Sequence, residues 1–269
     1  MRTEATPSPD EETRHRLLEG VLLRLARRPD VREFVLRGGV LMRHWFRPVV
    51  RPAEDLDLVA TFPFDIDEAA RRFLPVLSDG DVADGVSFDP ARTRVEGIWL
   101  ETGTPGVRVF ATGWAGGSEA DFHADITFGP FPRPAPVFVA IPTACGESAA
   151  VWACRPESVA GHKVQALCHR GMWAWRPKDL NDLRLLLERV PMDAADLRGA
   201  VAAYLADTGR TPDDARALFG PEAWWGMKRT AARWRDFVKQ SRGQDVPGDL
   251  AGVVAGVAGR LLPVLEGVP

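Results

Sequence analysis

The 269-residue sequence has few cysteines. Cys145, Cys154 and Cys168 are an odd set with no C-x-x-C spacing, which argues against a disulfide framework or a zinc site and fits a reducing cytosol. Long apolar runs are missing as well: none approaches the ~18 residues that a membrane-spanning helix needs. The opening stretch, MRTEATPSPDEETRHR, lacks the apolar heart of a signal peptide; a short disordered lead running into a helix is expected there. No internal repeat or low-complexity tract is present. Excess positive charge is also absent. The formal net charge is -3, which argues against a protein that coats nucleic acid indiscriminately while leaving local basic patches open. What remains is a globular chain, 45% hydrophobic and 26% charged, long enough for one large or two modest cores.

Hydrophobic periodicity supplies the outline. Leu17, Leu18, Val21, Leu22 and Leu25 recur at helical spacing within residues 12–28, with arginines expected on the opposite face. A short apolar stretch then meets Gly38-Gly39 and a further helix, VLMRHWF. Residues 54–60, EDLDLVA, alternate strictly and predict a strand; a helix is expected around 67–77. Strand-like runs, RVEGIWLE, VRVFATGW, DFHADITFG and PVFVAIPT, follow between Gly and Pro turns. From Pro156 the texture turns helical, with helices expected at 157–170, 179–189, 194–206, 212–218, 222–240 and 248–265. The reading is a mixed α/β domain over residues 1–150 and a helical domain over 151–269.

Three places in the first part carry chemistry. In Asp55-Leu56-Asp57-Leu58, residues i and i+2 of a strand share a face, so both carboxylates project together while the leucines enter the core. Like charges this close repel, and a divalent cation relieves the cost. Mg²⁺ suits the arrangement because it takes one or two carboxylates and completes its octahedron with phosphate and water oxygens. The plain alternative is an acidic strand face that aids solubility. Upstream, Gly38-Gly39 would let backbone approach a phosphate, with a following helix aiming its first N–H groups there; a mere turn is the alternative. In His123-Ala124-Asp125-Ile126-Thr127-Phe128-Gly129, Asp125 sits on the polar face of a strand. It could join Asp55 and Asp57 in a metal site or remove a proton from an attacking hydroxyl. Alternatively it is a polar residue on an edge strand.

Two further places lie in the helical part. Ala160, Val164 and Leu167 make an apolar stripe that leaves Lys163 to one side, where it could neutralise phosphate or simply face solvent. In Lys178-Asp179-Leu180-Asn181-Asp182-Leu183, Asp179 suits a helix start. Asp182 is less well explained by that.

Taken in order, these motifs resemble the AbiEii/AbiGii-type nucleotidyltransferase toxins of the DNA-polymerase-β-like superfamily. The carrying positions are Leu36-Gly38-Gly39, Asp55-Leu56-Asp57, Asp125-Ile126-Thr127-Phe128-Gly129, Glu157 with Lys163 and Ala166-Leu167, and Lys178-Asp179-Leu180-Asn181-Asp182-Leu183. The likeness covers residues 30–190 best and extends to a closing helix at Leu261-Leu262-Pro263-Val264-Leu265. It implies an α+β fold: a polymerase-β-like mixed sheet with flanking helices, followed by a helical C-terminal domain that completes the active-site cleft. It also implies an enzyme using Mg²⁺ or Mn²⁺ that transfers NMP from an NTP to an acceptor, in characterised relatives the 3′ end of tRNA. A cognate antitoxin and a cytoplasmic location go with it. On this resemblance Asp55, Asp57 and Asp125 hold metal, Gly38, Gly39 and Lys163 meet the nucleotide, and Asp179 or Asp182 positions the acceptor or that lysine.

The chain departs from the family pattern in three ways. Fifteen residues separate Gly39 from Asp55, with Pro48 and Pro52 suggesting a looped insertion. Gly39 stands where a serine is common, and the familiar Ala-Glu-Lys is Gly161-His162-Lys163. Two other functions stay open on sequence: a nucleotidyltransferase acting on a small molecule such as an antibiotic, and a catalytically silent nucleotide-binding protein. His123 and His162 are read as hydrogen-bonded structure rather than ligands. Trp225 and Trp234 are assigned to a core, with the roles of Lys228, Arg229, Arg233, Arg235, Lys239 and Arg242 left open. A basic rim is expected from Arg43, Arg47, Arg51, Arg170, Arg176 and Lys178.

Overall fold

A computed structural model of the chain describes residues 8–46, 51–78, 80, 82–241 and 244–266. The expected lead at 1–7, Arg47, Pro48 and Arg242 lie outside the described residues. The chain divides into two compact units, one built from residues 6–132 and 136–154, the other mainly from 155–269.

The first unit opens with helix α1 (Pro9–Ala26). Ser8 accepts the Glu11 N–H while the Glu11 side chain takes the Ser8 N–H, a reciprocal cap that satisfies two orphan donors. The leucine–valine stripe is fully buried, each side chain contributing about 1.5–3 kcal/mol by leaving water. The opposite face is not uniformly polar, contrary to the periodicity. Arg24 is buried and bonded to buried Asp84 at 2.6 Å, an ion pair whose partner lies far along the chain.

Eight strands and two further helices complete the unit. They are β1 (Phe34–Arg37), α2 (Gly38–Phe46), β2 (Leu56–Ala60), α3 (Ile66–Ser78), β3 (Val86–Phe88), β4 (Arg94–Ile98), β5 (Gly106–Ala115), β6 (Ser118–Thr127), β7 (Val137–Pro142) and β8 (Ser148–Ala153). All eight strands form one sheet in the order β3-β5-β6-β2-β1-β8-β7, with β4 pairing β5 outside that path. The sheet is mixed: β1–β8 and β2–β6 are parallel and the other pairs antiparallel. Helix α1 packs on β5, β6 and β8, and α2 on β1 and β2. The strand expected at 54–60 begins at Leu56, and β3 and β8 were not foreseen.

The second unit is helical: α4 (Pro156–Ala174), α5 (Pro177–Arg189), α6 (Ala194–Ala206), α7 (Pro212–Phe219), α8 (Lys228–Gln240) and α9 (Leu250–Leu265). The single helix expected over 222–240 is broken. Trp224–Gly226 forms a 3₁₀ turn, and extended backbone at Met227 restarts the helix at Lys228. Trp225 and Trp234 are buried around Trp175. Their indole N–H groups donate to the Leu218 and Pro247 carbonyls, as buried tryptophans require. Arg233 donates to the carbonyls of Trp173 and Trp175, a structural use of one basic residue whose role the sequence left open. The close approach of α4 to α6 depends on Gly161, where a Cβ would lie 2.8 Å from the Ala200 backbone. The alanine usual in the family would not fit without a shift.

Candidate active site

Strand pairing determines which side chains share a face. Along β2, Leu56 and Leu58 are fully buried and stand opposite Ala124 and Ile126 of β6. The alternating positions therefore point the other way. Asp57 of β2 stands beside Asp125 of β6, and Arg108 of β5 stands opposite Asp125. One face of three adjacent strands thus presents Asp57, Asp125 and Arg108 in a row. Strand β6 is interior to the sheet, so Asp125 is not an edge residue. Its carboxylate is buried and grips Arg108 in a two-pronged pair, Nε to Oδ1 at 2.6 Å and Nη2 to Oδ2 at 2.7 Å. That hydrogen-bonded pair, with Asp55 and Asp57 adding their charge, holds the Arg108 guanidinium above its ordinary pKa.

Asp55 lies just ahead of β2, half-buried, and its Oδ2 is 3.7 Å from His123 Nε2 on β6. Among the described residues, Asp55, His123 and Asp125 each offer one ligand atom, all within 4.8 Å of one another. Two carboxylate oxygens and an imidazole suit a divalent cation: oxygen for Mg²⁺, with the nitrogen equally acceptable to Mn²⁺. The expected trio Asp55, Asp57 and Asp125 occupies neighbouring positions, but the set tight enough to share one ion contains His123, which the sequence reading had assigned to structure.

Asp57 meets Gly38. A Cβ on Gly38 would sit 1.8 Å from Asp57 Oδ2, and the residue has φ +74°, so both conformation and space demand glycine. Helix α2 starts at this glycine. The unbonded N–H groups of its first turn and its positive dipole end therefore lie beside the carboxylate face. Gly39 follows, with the Arg51 guanidinium 3.4 Å from where its Cβ would be. Arg43 donates to His15 Nε2 at 3.1 Å.

In the helical unit Lys163, Asp179 and Asp182 come together. Lys163 Nζ lies 2.7 Å from Asp179 Oδ1 and 2.9 Å from Asp182 Oδ2, and all three are buried. Burial pushes the Asp179 carboxyl up, but the Lys163 charge and hydrogen bond outweigh it and hold the group below its usual range. Asp179 is therefore more than a helix cap, and Asp182, which a cap explained poorly, is the second arm of a lysine clamp. Arg176 is exposed, and Arg170 and Lys178 are half-exposed.

A mixed sheet with flanking helices, a glycine pair opening a helix and acids in register on adjoining strands is the organisation of a nucleotidyltransferase. Over residues 20–251 the chain matches the family described as nucleotidyl transferase AbiEii toxin, type IV toxin–antitoxin system, and it belongs to that family. The fold is similar to two crystal structures from Helicobacter pylori. One is of the protein JHP933, 15% identical, with a TM-score of 0.54 and coverage of 97% of this chain and 94% of that one. The other is of a candidate nucleotidyltransferase, 13% identical, with a TM-score of 0.54 and coverage of 97% and 96%. No curated protein matches the chain. Family membership brings an NTP substrate and a cognate antitoxin with it. Among the described residues no helix is long and apolar enough to cross a membrane.

Proposed function

We propose that the chain is a divalent-metal-dependent nucleotidyltransferase that moves an NMP from an NTP to a hydroxyl at the 3′ end of tRNA, acting as the toxin of its pair in the cytoplasm. The observation that carries this reading is the sheet face on which Asp57 and Asp125 stand in register beside Asp55, at the mouth of a helix opened by Gly38. In-line transfer makes one bond, from the acceptor oxygen to the α-phosphorus, and breaks one, to the pyrophosphate that leaves with its electron pair. The chemistry needs negative charge neutralised on the phosphates and a proton removed from the acceptor.

A metal ion supplies the first when bound; Asp55 and Asp57 would hold it, with the His123 imidazole beside Asp55 as a further ligand. Asp125 assists as a ligand or takes the proton. Gly38 and Gly39 let backbone N–H groups reach the triphosphate, with Arg51 beside them adding positive charge. Asp179 and Asp182, which both bond buried Lys163, hold that lysine rather than the acceptor, and it serves as their counter-ion. Arg43 and Arg51 are assigned to the RNA backbone, so tRNA binding falls steeply with salt. The test is incubation with total RNA and each labelled NTP in turn. Label on the tRNA 3′ end supports the reading, and label confined to small molecules overturns the acceptor.

A further inference from the structure

Arg108 has no part in the chemistry proposed so far, yet it is bonded directly to the acidic face. It lies on β5 directly opposite Asp125, and both N–H prongs of its guanidinium are spent on the two Asp125 oxygens. The pair is lopsided in exposure: the Asp125 side chain is 4% exposed and the Arg108 side chain 29%. The carboxylate is therefore enclosed in the sheet, whereas the guanidinium keeps a solvent-facing side. Asp125 also belongs to the set Asp55, His123 and Asp125 that is tight enough for one cation. A divalent ion taking an Asp125 oxygen meets a permanent positive charge already bonded to that oxygen, and the two cations compete.

We propose that Arg108 is a positioning residue that makes metal loading of this site depend on the nucleotide. Without nucleotide, Arg108 is the counter-cation of Asp125 and keeps free divalent metal off it. Triphosphate oxygens offer the guanidinium a second anion of the same forked geometry, so Arg108 gives up Asp125 when metal and nucleotide arrive together. Two ligands that each favour the released arrangement bind cooperatively, and the coupling is reciprocal. The proposal rests on the metal reading of this sheet face, and its test separates the two.

The experiment measures Mn²⁺ binding by calorimetry to the full chain, with and without a non-hydrolysable α,β-methylene triphosphate. Wild type, Arg108→Gln, Arg108→Lys and Arg108→Gln/Asp55→Asn are compared, each checked by thermal melting. Wild type is expected to bind Mn²⁺ weakly alone and at least about fivefold more tightly with the analogue, within the range typical of coupled sites. Arg108→Gln should bind Mn²⁺ alone about tenfold more tightly than wild type and gain less from the analogue than wild type does. Arg108→Lys keeps the charge without the fork; it should fall between the two, and it decides the matter should the glutamine variant not fold. A residue with only a structural role would lower the melting temperature without tightening Mn²⁺. Equal or weaker Mn²⁺ binding in the folded variants overturns the proposal while leaving the metal site standing. Mn²⁺ binding that survives Asp55→Asn, or its absence from every variant, overturns the site and the proposal together.

Discussion

The molecule gathers aspartates in two places, and the two differ in how they are neutralised. On the sheet, Asp55 and Asp57 are half-buried, and the paired Asp125 is held by an arginine that retains access to solvent. In the helical unit, Asp179 and Asp182 are sealed away with Lys163 between them, each member below one tenth exposed. The first arrangement leaves room for a cation to enter. The second already contains its cation and cannot lose it cheaply, because a buried carboxylate stripped of its partner retains its desolvation cost. The same residue type thus occupies two environments, and burial distinguishes them better than sequence spacing does.

The largest stability effect should come from breaking the helical cluster. Lys163→Met leaves two buried carboxylates facing each other and should cost about 3–5 kcal/mol, a fall of roughly 10 °C in melting temperature for a chain of this size. A loss below about 1 kcal/mol would mean that the lysine is not the internal counter-ion its distances indicate. Next comes the packing beneath it. Gly161→Ala forces a methyl against the Ala200 backbone and should cost about 1–3 kcal/mol. A neutral result in a denaturant titration would show that α4 and α6 can part without penalty.

The smallest effect concerns pH. The Asp179 carboxyl is held below its ordinary 3.8 in the folded chain. A depressed folded value means that the contribution is complete above the unfolded pKa and lost as pH falls through the folded one. The stability gap between wild type and Asp179→Asn should therefore be full at pH 7 and 5 and should shrink by pH 3. Melting curves at the three values check this, and a gap unchanged at pH 3 would contradict it.

Much of this was legible in the sequence. The α1 stripe, the alternation through Asp55–Leu58 and 121–129, and the helical texture after Pro156 follow from periodicities that burial enforces. What stayed hidden had no local signature. Strand β8 is half alanine, with Val151 its one β-branched residue, and β3 has only three residues. The buried Arg24–Asp84 pair joins positions sixty residues apart. Arg108 is the instructive case. The Gly116-Gly117 turn pairs Ala115 with Ser118 and sets the register of the whole β5–β6 hairpin, which puts Arg108 opposite Asp125. That signal was present in the residues at 106–127, but reading it requires counting back from the turn. His123 joined the metal-competent set for a similar reason: its neighbour Asp55 comes from a different strand connection.

The central claim is that the sheet face, with its unsealed acids, is the reactive one. The most direct measurement is nucleotide incorporation by Asp55→Asn and Asp57→Asn beside wild type, with melting temperatures recorded for all three. Loss of a metal-holding carboxylate should exceed the 10–100-fold typical of outer-shell partners, so incorporation should fall by more than about a hundredfold. Half-exposed positions should hold stability to within about 0.5 kcal/mol. Undiminished incorporation by either variant, or a loss accompanied by unfolding, would contradict the account.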